Sequence, residues 1–206
     1  MGKRALSVDN VLNQKHHVLE FENEWRSAFG TPEVGSRWLI WGGSGSGKTR
    51  LALMLAKYLC RFHRVAYNSL EEGNSFSMQR AIREVGMQDV RRKFIMLDRE
   101  PIEDMTKRLK AHKAPRIAII DSLQYTGMTY RDYIMMCEEL PGSMLIFVSH
   151  ADGKEPEGRV AKRVRFDAGQ KIRVEGFRAF TLSRYGGGEL FTISDERAQE
   201  YWGLEY

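Results

Sequence analysis

Cysteine is scarce in this chain: Cys60 and Cys137 are the only 2 among 206 residues. Their separation fits no metal-ligand spacing. So few thiols exclude a disulfide scaffold and suit a reducing compartment. Long apolar runs are also missing. None approaches the ~18 residues of a membrane helix, and Met144 to Val148 is only strand-sized. Met1-Gly2-Lys3-Arg4 has no apolar stretch behind its charges, so no secretory signal is read there and the expected address is cytoplasmic. Repeats and low-complexity tracts are absent too, and the composition excludes collagen-like chains and wholesale disorder. What is present is ordinary for a globular protein: 42% hydrophobic and 29% charged residues. The length fits one domain, or one domain with a short arm, and it buries a core without staples.

Positive charge is unevenly placed. Between Gly158 and Arg173 stand six bases (Arg159, Lys162, Arg163, Arg165, Lys171, Arg173) against one acid, Asp167, a local excess equal to the whole net charge of +5. A basic stretch in a neutral body reads either as a polyanion contact or as a solvated charged loop.

Hydrophobic periodicity sets out the elements. Phe21, Trp25 and Phe29 recur every four residues, one face of a helix within an N-terminal arm, until Gly30-Thr31-Pro32 breaks it. The expected division is an arm over residues 1–33 and one domain over 34–206. Within the domain, strands are predicted over Arg37–Trp41, Arg64–Ser69, Lys93–Leu97, Arg116–Asp121 and Ser143–Ser149. Helices are predicted over Lys48–Arg61, Ser75–Val85, Ile102–Ala111 and Met128–Leu140. This alternation means parallel βαβ units in a three-layer α/β domain with a mostly parallel central sheet. After His150 no further helix is predicted. Lys171–Glu175, Ala179–Arg184 and Glu189–Ile193 read as an antiparallel extension of the sheet.

Gly42-Gly43-Ser44-Gly45-Ser46-Gly47-Lys48-Thr49 matches G-x-x-x-x-G-K-[ST] in full. Small residues let backbone N–H groups turn inward around a phosphate chain, and the following helix aims its positive end at it. Lys48 is placed for the β and γ oxygens, and Thr49 for Mg²⁺. Chance produces this pattern in roughly 1% of chains this long, and here it also lies between a predicted strand and helix. Three strand ends complete the candidate site. Arg116 to Asp121 is an apolar strand closing on a carboxylate, which places an acid for Mg²⁺ beside the P-loop. Glu71, in Tyr67-Asn68-Ser69-Leu70-Glu71-Glu72, faces the crevice at strand C-termini, where a carboxylate orients or deprotonates the attacking water. Its other reading is a helix N-terminal acid. Ser149-His150 closes the last parallel strand, where His150 serves either as a γ-phosphate sensor or as a capping residue.

This order of P-loop, Glu71, Asp121-Ser122-Leu123-Gln124 and Ser149-His150 resembles the RecA superfamily, and within it RadA-type repair ATPases and the motor domain of DnaB-type helicases. The resemblance runs from about Val34 to Ile193. It implies a RecA-like P-loop ATPase using ATP and Mg²⁺, with the catalytic role on Glu71 and not Glu72. His150 falls where the helicases often carry Gln. The family's Lys-x-Arg finger, which enters the neighbouring subunit's nucleotide site, corresponds to Leu182-Ser183-Arg184, so Arg184 matches the arginine and Leu182 replaces the lysine. Arg184 otherwise reads as a solvated strand-end base. Gly186-Gly187-Gly188 behind it reads as a mobile tip. The family also places DNA-binding loops after the sensor strand. That position is Ala151 to Phe166, with Lys154, Arg159, Lys162, Arg163 and Arg165 as phosphate contacts and Gly153 and Gly158 as flexible points.

The implied partners are DNA, single-stranded in the first instance, further copies of the chain in a ring or filament, and a helicase or recombination protein. No membrane is implied. The resemblance also implies a stripped core, without a zinc-binding module, a protease-like domain or a helicase collar. The favoured reading is thus an ATPase acting in DNA replication, recombination or repair. The alternative is a non-motor nucleotide-binding regulator, such as a helicase-loading accessory. A small-molecule kinase is disfavoured, because no lid signature lies between Ser75 and Ala111.

Overall fold

The structure is a computed structural model and describes residues 5–203. Residues 1–4, read above for a secretory signal, and residues 204–206, the end of the expected domain, lie outside the described part. In chain order the elements are α1 (Val8–Leu12), α2 (Asn23–Phe29), β1 (Arg37–Gly42), α3 (Lys48–Leu59), β2 (Val65–Ser69), α4 (Phe76–Val85), β3 (Phe94–Asp98), α5 (Ile102–Lys110) and β4 (Ile117–Asp121). They continue as α6 (Tyr130–Glu139), β5 (Met144–Asp152), β6 (Glu155–Pro156), α7 (Arg159–Asp167), β7 (Gln170–Glu175), β8 (Arg178–Ser183), β9 (Phe191–Thr192) and α8 (Asp195–Trp202).

The main strand order is β3-β2-β4-β5-β1-β7-β8-β9, with β6 paired to β5. From β3 to β7 every neighbour is parallel, and β8 and β9 add on antiparallel. The central strands are apolar on both faces because helices cover both. Along β1, Trp38 and Ile40 enter one core with α3, while Leu39 and Trp41 enter the other with α5, α6 and α7. Local chemistry ends the helices where expected. Ser75 accepts from the Met78 N–H at the start of α4, and Gly86 closes it at φ 72°. Thr129 and Asp132 form a capping box on α6.

Three helices appear where none was predicted. The short α1 lies in the arm, α7 occupies about half of the stretch read as a basic loop, and α8 follows β9. In α7, Ala161 and Val164 are buried against the second core, so this stretch is a docked helix with a charged outer face. Gly158 is its N-cap, at φ 86°. The triglycine stretch is not a free tip either. The Gly188 N–H donates to the Ala28 carbonyl at 3.0 Å, and the Glu189 N–H to that of Ser27 at 3.1 Å.

The arm's aromatic face packs on the chain's own core. Phe21 and Phe29 are fully buried. Trp25 stacks on Tyr58 at 4.5 Å and lies 4.7 Å from Phe191, while Phe29 meets Trp38 at 5.8 Å. Phe21 belongs to this face although it precedes α2, which starts at Asn23. Phe29→Ala therefore removes a core side chain and is expected to cost about 3–5 kcal/mol. A lowered denaturant midpoint with unchanged slope is the expected reading, and an unchanged midpoint would show the arm to be separable.

Candidate active site

Parallel register gathers the candidate residues at one sheet edge. Gly42 of β1 lies opposite His150 of β5, and Ser69 of β2 opposite Asp121 of β4. Gly43 to Gly47 turn above that edge, and Lys48 and Thr49 open α3. Leu70 and Glu71 both donate their N–H groups to the Asp121 carbonyl, at 2.7 and 3.2 Å. The loop that carries Glu71 is thereby tied to the strand that carries Asp121.

The P-loop is shaped for a ligand. A Cβ on Gly42 would stand 2.2 Å from the Val174 carbonyl oxygen. Gly47 sits at φ 105°, and a Cβ there would meet the Phe177 ring at 2.8 Å. Phe177 arrives from the β7–β8 turn, where Gly176 and Phe177 have φ 52° and 57°. Two adjacent left-handed residues make the two-residue turn that suits a twisted hairpin. The Phe177 N–H then donates to the Ser46 carbonyl at 3.0 Å, fastening the hairpin to the loop. The Ser46 hydroxyl is buried and has no hydrogen-bond partner among the described residues. An unpaired buried hydroxyl is costly, and a phosphate oxygen would supply what it lacks.

Lys48 Nζ donates to the Gly43 carbonyl at 2.7 Å, folded over its own loop. Burial lowers its pKa, opposed by the nearby Asp121 and Glu71. The Thr49 hydroxyl and Asp121 Oδ2 are 3.5 Å apart, so the two residues read as Mg²⁺ ligands do meet. Asp121 is buried, and Tyr67 donates to its Oδ2 at 2.5 Å. Burial pushes its carboxyl up to about 6, and Glu71 and Glu72 add to this against Tyr67 and Lys48. A buried carboxylate short of positive charge beside a hydroxyl is a donor set that fits a hard divalent cation.

The two neighbouring glutamates separate cleanly. Glu71 Oε2 accepts from Ser122 at 3.2 Å and lies 2.8 Å from His150 Nε2. Glu72 turns away and accepts from Ser77 at 2.5 Å, beside the start of α4. Tyr67, Ser122 and Gln124 are members of the site that sequence reasoning left without roles, although all three stand inside the stretches quoted for Glu71 and Asp121.

Arg184 is not brought to this edge. Its backbone N–H donates to the Gly169 carbonyl at 2.9 Å, one residue before β7. Because β7 runs parallel to β1, that position is at the opposite end of the sheet from Gly42. A strand of this length separates the two ends by roughly 15–20 Å. The basic residues of α7, Arg159, Lys162, Arg163 and Arg165, are likewise outside the site, whereas Lys154, in the turn between β5 and β6, lines the P-loop cavity. Arg165 is paired with Glu155 and lies over the Trp41 ring, and Arg163 lies over Tyr130. Lys154, Arg159 and Lys162 are exposed, as is Phe166 beside them. The P-loop borders a cavity of about 400 Å³. A larger groove of about 880 Å³ lies between α5 and α6 and contains none of the P-loop residues.

The solved structure of the KaiC-like protein PH0186 from the hyperthermophilic archaeon Pyrococcus horikoshii OT3 matches this chain with a TM-score of 0.61. The match has 15% identity and covers 86% of this chain and 94% of that one. The fold is RecA-like. No family model and no curated protein matches the sequence. At this identity the likeness establishes architecture: three layers, a mostly parallel sheet and antiparallel C-terminal strands. No helix among the described residues is long and apolar enough to cross a membrane.

Proposed function

We propose that this chain is a Mg²⁺-dependent ATPase that works on single-stranded DNA as an assembly of several copies. The observation that carries the reading is the convergence of the P-loop, the Thr49–Asp121 pair and the Glu71 carboxylate on one sheet edge. The P-loop amides and Lys48 bind the phosphates, and the Ser46 hydroxyl gains a partner from them. Thr49 and Asp121 would hold Mg²⁺, which when bound would neutralise charge on the phosphoryl oxygens. Glu71 orients the attacking water and accepts its proton. Gln124 donates to Ser149 at 2.9 Å and fixes the end of the strand that carries His150.

DNA is assigned to the face formed by Lys154, Arg159 and Lys162, with the exposed Phe166 ring as a stacking surface. Assembly is assigned on Arg184, which is exposed and far from its own P-loop, so any nucleotide it reaches is a neighbour's.

Turnover measured with and without single-stranded DNA tests the proposal, together with a variant carrying Arg159→Glu, Lys162→Glu and Arg163→Glu, all on α7 and away from the P-loop cavity. The wild type is expected to hydrolyse ATP faster with DNA. The variant is expected to keep nucleotide affinity and lose the stimulation. Each phosphate contact on a single strand contributes about 0.7 to the log-affinity against log-salt slope, so three lost contacts flatten it by about 2. Tight nucleotide binding with no turnover in any condition would favour the regulator reading. An unchanged salt slope would remove DNA from this face.

A further inference from the structure

We propose that Glu157 is a positioning residue for Glu71, acting through the imidazole of His150. The proposal rests on the reading of Glu71 as the proton acceptor. His150 lies between two carboxylates, with Nε2 at 2.8 Å from Glu71 Oε2 and Nδ1 at 3.4 Å from Glu157 Oε2. With the ring protonated both nitrogens carry a proton, and the second carboxylate then holds the far side as an ion pair and steers Nε2, as outer partners orient ligating histidines.

The arrangement has a consequence for the two oxygens of Glu71. Oε2 is occupied by both His150 and Ser122. Oε1 accepts no hydrogen bond among the described residues. One oxygen is anchored and the other is left for the water. A carboxylate free to rotate about its terminal bond would present either oxygen in any direction. Two donors on one side stop that rotation.

Glu157 is itself held in place. Its N–H donates to the His150 carbonyl at 2.9 Å, closing the β5–β6 hairpin. Its carbonyl accepts from Gln124 Nε2 at 3.1 Å, while Gln124 Oε1 accepts from the His150 N–H at 3.2 Å. Gln124 follows closely on Asp121 and Ser122, so the end of β4, the end of β5 and the base of the hairpin are stapled together. The carboxylate of Glu157 is about half exposed and contributes nothing to a core. Its placement against the ring is the one side-chain contact it makes among the described residues, and the chain of contacts ends on Glu71.

A double-mutant cycle on the full chain tests this. Glu157→Gln is expected to lower kcat about tenfold, within the range outer partners contribute, with KM and nucleotide affinity unchanged. His150→Ala is expected to do the same or more. The decisive expectation is that Glu157→Gln has no further effect in the His150→Ala background. Additive losses would overturn the proposal, as would a Glu157→Gln variant with wild-type kcat. A second readout needs no turnover. In the nucleotide-free protein, amide exchange over residues 71–74 is expected to rise in each single variant and no further in the double variant. Faster exchange confined to the hairpin would overturn the proposal even in an inactive protein. Absent turnover combined with coupled exchange would instead reject the ATPase reading alone.

Discussion

Glu71→Gln is expected to bind nucleotide as the wild type does and to hydrolyse it about 10²–10⁴-fold more slowly, the usual contribution of a positioned base. The amide keeps the shape of the side chain but takes up no proton. Its neighbour supplies the control. Glu72 carries the same charge one residue on, yet its carboxylate is engaged by Ser77 and Ser75 at the start of α4. Glu72→Gln is therefore expected to retain most activity. Single-turnover rates, with affinities from a fluorescent nucleotide, separate the two steps. A dead Glu72→Gln beside an active Glu71→Gln would exchange their roles.

Lys48→Ala is expected to act one step earlier. A triphosphate brings several negative charges to an edge already bearing Asp121 and Glu71. Among the P-loop residues Gly42 to Thr49, Lys48 is the only cation. Removing one partner of a largely desolvated ion pair costs about 3 kcal/mol or more, so affinity should fall roughly 100-fold. The loop itself should survive, because Gly42 and Gly47 and the Ser46–Phe177 hydrogen bond shape it without the lysine. Equal affinity in wild type and variant, measured calorimetrically, would remove the nucleotide from this loop.

The P-loop, the parallel strands and the strand-end acids were legible because their signals are local. A buried strand ending in Asp121 announces itself in six residues. What escaped was set by distant partners. α7 carried a helical signal in Val160, Ala161 and Val164, but six bases around it drew the reading towards a charged loop. The stripe of Phe21, Trp25 and Phe29 was visible, while its cover was not, since Trp38, Tyr58 and Phe191 come from three separate stretches. The two-residue turn at Gly176-Phe177 puts a bulky residue at positive φ, which propensity argues against. Contact with the P-loop overrides it there. Glu157 had no local mark at all, because its role depends on β5 doubling back as a hairpin.

The aromatic pile also bears on how the molecule comes together. Trp25 and Phe29 stand far from Phe191 in the sequence, yet that ring lies 4.7 and 5.4 Å from them. Contacts so far apart in sequence form slowly. Tyr58 and Trp38 cover the same helix from nearer stretches. The seating of α2 is therefore expected in two steps, a first against α3 and β1 and a later one when the antiparallel edge of the sheet folds over it.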